Sequence, residues 1–132
     1  MKKLVLLLPA MGALLLLALP PTKEIQQFDP ATTVFVEESN KILELPADGK
    51  DIVINGNKNT IHFTGISKKL VIKGNNNDID VDTVAAIEIT GDYNFVAWKY
   101  GPDATSKPPV TDKGGYNNVG KRSGDALEKD EN

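Results

Sequence analysis

Short runs of alternating apolar and polar residues recur along the middle of this chain, and they recur in columns. Ile52 and Ile54 flank Val53, Leu70 and Ile72 flank Val71, and Ile87 and Ile89 flank Glu88. A second set follows each of these: Ile61/Phe63, Ile79/Val81 and Val96/Trp98. Alternation with a period of two turns one face of a strand to a core and the other to water, so each run is predicted as a β-strand. Between the runs stands the unit Gly-x-x-Asn-x-(Ile/Val). It occurs as Gly56-Asn57-Lys58-Asn59-Thr60-Ile61, Gly74-Asn75-Asn76-Asn77-Asp78-Ile79, Gly91-Asp92-Tyr93-Asn94-Phe95-Val96 and Gly114-Gly115-Tyr116-Asn117-Asn118-Val119. Glycines at 56, 74, 91 and 114 give spacings of 18, 17 and 23.

Strand, turn, strand, turn within about 18 residues is too short a period for paired helices and fits one coil of a parallel β-solenoid. The predicted fold is therefore all-β. It is a short right-handed parallel β-solenoid of about four coils of 17–18 residues with a degenerate N-terminal coil. In that coil the columns persist as Val34/Val36 and Leu43/Leu45 without the Gly and Asn turn residues. Gly56, Gly74, Gly91 and Gly114 are expected to supply positive φ at the corners. Asn59, Asn77, Asn94 and Asn117 are expected to stack as an amide ladder, as in cross-β assemblies. The rival reading is an antiparallel sheet of hairpins, which Asn55-Gly56 taken alone would favour.

Around this core the chain divides into a leader (1–20), a linker (21–32), the solenoid (33–119) and a polar tail of mixed charge (120–132), the last expected to be disordered. Tyr100 to Pro109 reads as a loop thrown out between the third and fourth coils, accounting for the six extra residues of the last spacing. Asp112 and Lys121 stand where core residues belong, so the last coil is polar, as the open end of a repeat stack requires.

Met1-Lys2-Lys3 followed by an uncharged stretch from Leu4 to Leu19 is the pattern of a secretory signal, predicted as a hydrophobic leader helix. A retained single-pass anchor is the alternative. The protein is expected to be exported, to the periplasm or beyond, with membrane contact only through an uncleaved leader. The 132 residues carry a formal charge of −3, and there is no basic footprint for nucleic acid. The absence of cysteine excludes disulfides, thiolate zinc sites, cysteine nucleophiles and a lipidated cysteine. A single histidine leaves little scope for a transition-metal site.

The run from Ile54 to Ile61 and the run from Val71 to Ile79 resemble a family of small exported bacterial proteins known as domain of unknown function 3060. Lys99-Tyr100-Gly101 and the closing Gly114 to Val119 are similar to the end of that family, so the resemblance covers about residues 50–120. It implies export and the repeat fold and carries no site, since the family has no assigned activity. Relatives often have a cysteine where this chain has Ile66, which implies that any disulfide of theirs is dispensed with here.

Candidate chemistry lies on the outward positions of the strands. Thr60, His62 and Thr64 should stack on Asp78, Asp80 and Asp82, and these on Phe95, Ala97 and Lys99. Contacts between His62 and Asp80 and between Asp82 and Lys99 are predicted across neighbouring strands. His62 with Asp80 is a candidate acid–base pair. Asp78, Asp80 and Asp82 form a candidate calcium row, although alternate residues stand about 7 Å apart along a strand, wide for one ion. Trp98 continues an inward column. Tyr93, Phe95, Tyr100 and Tyr116 form the nearest approach to an exposed aromatic patch. No nucleophile elbow, phosphate loop or dinucleotide fingerprint is present. The expectation is a non-enzymatic structural or interaction module without a cofactor, its partner an envelope protein or glycan. The alternatives are a weak cation- or carbohydrate-binding protein, or polysaccharide-active enzyme, using the Asp/His row, and an end-to-end self-assembling surface protein.

Overall fold

A computed structural model describes residues 28–122, so the leader, most of the linker and the tail beyond Arg122 lie outside the described residues. The described chain holds eight strands: β1 (Thr33–Val36), β2 (Ile42–Pro46), β3 (Asp51–Ile54), β4 (Thr60–Ile72), β5 (Asp78–Ile89), β6 (Phe95–Tyr100), β7 (Val110–Asp112) and β8 (Asn118–Lys121). Every pairing is parallel, along one side β1-β3-β4-β5-β7 and along the other β2-β4-β5-β6-β8. The two sides share β4 and β5, each of which bends around a corner. This is a β-solenoid, and the antiparallel alternative is excluded. β8 ends at Lys121, so the sheet runs two residues past the expected boundary at 119.

The apolar columns coincide with the strand register. Val34 faces Ile52, which faces Leu70 and then Ile87; Val36, Ile54, Ile72 and Ile89 form the next column. On the other side Leu43, Ile61, Ile79, Val96 and Val119 align, beside Leu45, Phe63, Val81 and Trp98. From Ile52 to Trp98 these side chains are at most 5% exposed. Each contributes roughly 1.5–3 kcal/mol by leaving water. Two of the four columns end on charges, Asp112 beyond Ile89 and Lys121 beyond Trp98, and the other two on Val110 and Val119.

The coil spacings have local causes. Gly65 (φ 79°) opens a bulge in β4, where the register against β5 slips between Phe63 and Ile66. One residue is thereby absorbed, and the next coil is 17 residues long rather than 18. The following coil is lengthened by the loop after Gly101, which closes on Asp103. Its carboxylate accepts from the Thr105 and Ser106 amides (2.9 and 2.8 Å) and from both hydroxyls (3.1 and 2.6 Å).

The repeat glycines serve a different purpose from the one expected. None of Gly56, Gly74, Gly91 and Gly114 has positive φ. Positive φ falls on the residue just before the repeat asparagine, at Lys58, Asn76, Tyr93 and Tyr116, with Asn40 as its counterpart in the first coil. The glycines are needed because successive coils touch there. A Cβ on Gly74, Gly91 or Gly114 would overlap the carbonyl oxygen of the preceding repeat glycine, and one on Gly56 would overlap that of Glu38.

The outer faces are not uniformly wet either. Val53 and Val71 point away from the interior yet are 1% exposed. Among the described residues, Phe28 lies on that side. Its ring meets Phe35 edge-on at 6.4 Å, and the Lys73 ammonium sits 5.8 Å from its centroid. Thr32, also within the expected linker, accepts a bond from the Asp51 amide at 3.0 Å.

Candidate functional site

Two ladders of side chains fasten the corner that carries the repeat. The inner ladder is the expected one, but its bonds run largely to the backbone. Asn77 Oδ1 accepts the Asn59 amide (3.0 Å), Asn94 Oδ1 the Asn77 amide (3.0 Å), and Asn117 Oδ1 the Asn94 amide (2.8 Å). To the same earlier turn Asn77 Nδ2 donates to Gly56 O, Asn94 Nδ2 to Gly74 O, and Asn117 Nδ2 to Gly91 O. Each asparagine thus bridges the coil before it and, through its acceptor, serves the backbone of that same earlier turn. Asn59, Asn77 and Asn94 are 1% exposed, where an unmet amide is costly. The outer ladder was not foreseen. Ser39 Oγ accepts the Asn57 amide, Asn57 Oδ1 the Asn75 amide, Asn75 Oδ1 the Asp92 amide, and Asp92 Oδ1 the Gly115 amide. Its side-chain acceptors lie in the earlier coil and the side-chain acceptors of the inner ladder in the later one, so the two sets run in opposite senses.

Beyond this corner the strands present a grid of outward residues. Ile42, Thr60, Asp78, Phe95 and Asn118 align in one row; Glu44, His62, Asp80, Ala97 and Gly120 in the next. Alternation along the strands puts Asp82 and Lys99 on the same flank. An open depression of about 530 Å³ lies over its first strands, lined by Ile42, Glu44, Thr60, His62, Asp78 and Asp80 among others.

Arg122, assigned to the tail by sequence, sets the electrostatics of the flank. Its amide donates to Trp98 O, continuing the β8 ladder by one residue. Its guanidinium reaches back across β6, where Ala97 stands beside Asp80 in register, and pairs with Asp80 through Nη1 and with Asp82 through Nη2 at 3.4 Å. His62 is opposite Asp80 in register, but its Nε2 lies 3.2 Å from Asp82 Oδ1. The second Asp82 oxygen accepts the Gly65 amide at 3.2 Å. The expected His62–Asp80 pair does not form: His62 pairs with Asp82, and Asp80 pairs with Arg122 through Oδ2 while its Oδ1 has no hydrogen-bond partner. The expected Asp82–Lys99 pair does not form either. Lys99 turns instead to the Tyr100 ring, 5.4 Å from its centroid. Asp78 shares in none of these pairings. No group of three or more acidic, cysteine or histidine side chains among the described residues is gathered closely enough to hold a metal ion. On the opposite side Lys69 bonds Glu88 at 2.7 Å, and chiefly that bond lowers the Glu88 carboxyl below its ordinary range.

The aromatic residues split. Tyr93 and Tyr116, at the same corner in successive coils, stack with centroids 4.9 Å apart and planes 7° from parallel. Phe95 is exposed on the adjacent flank, and Tyr100 stands apart beside Lys99. Trp98 is core, with the Lys121 ammonium 5.7 Å from its ring.

Fold and corners together define a β-solenoid with asparagine-laddered turns. The family described as protein of unknown function (DUF3060) matches residues 54–119, and the chain belongs to that family. The match runs from the last residue of β3 to the second of β8 and includes all four Gly-x-x-Asn turns. No curated protein and no solved structure gives a significant match. No helix among the described residues is long and apolar enough to cross a membrane.

Proposed function

We propose that this protein is an exported, non-catalytic interaction module, a rigid solenoid that offers one flank and one projecting loop to an envelope protein or glycan. The observation that carries this reading is the closed state of the acidic row. Asp80 and Asp82 are taken up by Arg122, His62 and the Gly65 amide, so the carboxylates best placed for acid–base work serve as internal ion-pair partners. A general base needs a free lone pair aimed at a substrate proton, and Asp80 Oδ2 and both oxygens of Asp82 are engaged by Arg122, His62 and the Gly65 amide. Export rests on the charged and then apolar start of the chain, Met1 to Leu19.

Binding by the loop is supported by its order: Asp103 holds it in one shape through four hydrogen bonds, which lowers the ordering cost on contact. The test compares the wild-type protein with one whose residues 102–109 are replaced by a Gly/Ser linker. Retention of labelled envelope material should fall while the circular dichroism spectrum and urea midpoint hold. Unchanged retention by the folded variant would refute the loop's role.

A second reading is weak binding of a carbohydrate in the depression that His62, Asp78 and Asp80 line. It predicts a thermal shift with an oligosaccharide that Asp80→Ala abolishes. The absence of any shift counts against it.

A further inference from the structure

We infer that Tyr93 and Tyr116 form a site for an intramolecular tyrosine–tyrosine cross-link, made by a peroxide-driven one-electron oxidant. The two residues occupy one corner of successive coils and share one left-handed backbone conformation, with φ of 58° and 57°. Their backbones are pinned to each other. The Tyr93 amide donates to Gly115 O at 3.0 Å, the Gly115 amide to Asp92 at 2.7 Å, and the Asn94 amide to Asn117 at 2.8 Å. Both Cα–Cβ bonds therefore leave the corner in parallel, and the rings stack at 4.9 Å. The rings also stand open to an oxidant, Tyr93 at 59% and Tyr116 at 82% exposure. The third tyrosine of the chain, Tyr100, is 50% exposed but stacks on no other tyrosine, and it serves as an internal control.

The chemistry balances with hydrogen peroxide as the terminal oxidant and a haem peroxidase as catalyst. Each phenol gives up one electron and one proton to become a phenoxyl radical. The radicals join through the ring carbons ortho to the oxygens, forming one carbon–carbon bond. The two displaced ortho hydrogens move to the oxygens and restore both phenols. Overall two hydrogen atoms leave the protein, and one peroxide becomes two waters. Because the stack is held within one molecule, coupling has the advantage of a high effective concentration over coupling between molecules. The product would bolt the last coil to its neighbour across the inserted loop, in a chain that has no cysteine to do so.

The experiment treats the full chain at micromolar concentration with horseradish peroxidase and peroxide, then follows dityrosine fluorescence, intact mass and peptide maps. The expected product runs as a monomer, has lost two hydrogens, and joins the peptides carrying Tyr93 and Tyr116. Its yield per molecule should not change on dilution. Tyr93→Phe and Tyr116→Phe, which keep a stackable ring, should each abolish it, and Tyr100→Phe should leave it intact. Cross-linked wild-type protein should also melt at a higher temperature. No product, a product found only in dimers, or one that survives Tyr93→Phe would overturn the inference.

Discussion

Replacing Asn77 with alanine isolates the contribution of the inner asparagine ladder. Asn77 Oδ1 accepts the Asn59 amide at 3.0 Å, and its Nδ2 donates to Gly56 O at 3.0 Å and to Asn94 Oδ1 at 3.1 Å. Three such bonds are worth about 1 kcal/mol each net of water. The truncation also strands the Asn59 amide and the Gly56 carbonyl where Asn77 itself is 1% exposed, and a buried unmet group costs about 1–3 kcal/mol. The penalty for an unmet partner already contains the bond it lost, so two stranded groups and the one remaining bond give a loss of roughly 3–7 kcal/mol, against a total stability of about 5–15 kcal/mol for a domain of ordinary size. At about 4–8 °C per kcal/mol the melting point should fall by roughly 15 °C or more. Asn75→Ala is the matched control. It removes an acceptor from the Asp92 amide (2.8 Å) and a weak amide contact to Asn57 (3.4 Å), both exposed and open to replacement by water. Its cost should stay below about 1 kcal/mol. Urea titration of both variants, with the slope checked for two-state behaviour, gives the comparison. If Asn77→Ala costs no more than Asn75→Ala, the ladder does not hold the corner.

Other outcomes follow from the same geometry. Gly74→Ala should abolish folding or force the coils apart, since its Cβ would overlap Gly56 O, whereas Gly120→Ala, whose Cβ meets nothing, should melt near wild type. Similar melting points for the two would sink the close-contact argument. Arg122→Ala should cost about 1 kcal/mol or less, because the pair is partly exposed, and the difference should shrink in high salt. Stacking end to end should be blocked. A second copy would bring the Cβ of Glu38 against Gly114 and set Val36 and Leu45 on Asp112 and Lys121. Wild-type protein should therefore keep one size on dilution, while Glu38→Gly/Asp112→Val/Lys121→Val should associate; concentration-dependent growth of the wild type would refute this. Hydrogen bonds from the Ser106 hydroxyl, then the Thr105 and Ser106 amides, lower the Asp103 carboxyl from 3.8 to about 2. The folded pKa is the lower one, so this stabilisation is complete above pH 3.8 and lost as pH falls through about 2. Carbon-detected NMR of the Asp103 carboxyl should show that midpoint, and a value at 3.8 or above would contradict the loop geometry.

The columns were legible because one physical rule, burial of every second side chain, repeats with the coil. Ile54, Ile72 and Ile89 could be aligned from their distance to the turn alone. The glycines were legible as corner residues but not for the reason they are required. A close approach between coils is a property of the stack, whereas positive φ is a property of one residue, and Tyr93 and Tyr116 carry the latter against local preference. Pairings on the flank inferred from neighbouring positions do not include Arg122, which lies 42 residues from Asp80 and reaches it across β6. Alternation puts Val53 and Val71 on a wet face, yet they are 1% exposed, and Phe28, which precedes the repeat, lies on that side against Phe35 and Lys73. Local pattern thus reports the coil, and side chains that cross coils, Arg122 above all, are visible only once the register is known.

The stacking itself is tested most directly by methyl contacts in isoleucine-labelled protein. The account predicts that Ile72 contacts both Ile54 and Ile89, its partners in the coils before and after, and that Ile61 contacts Ile79. If Ile54 instead contacted Ile61 alone, as the facing arms of a hairpin around Gly56–Asn59 would, the solenoid would be contradicted.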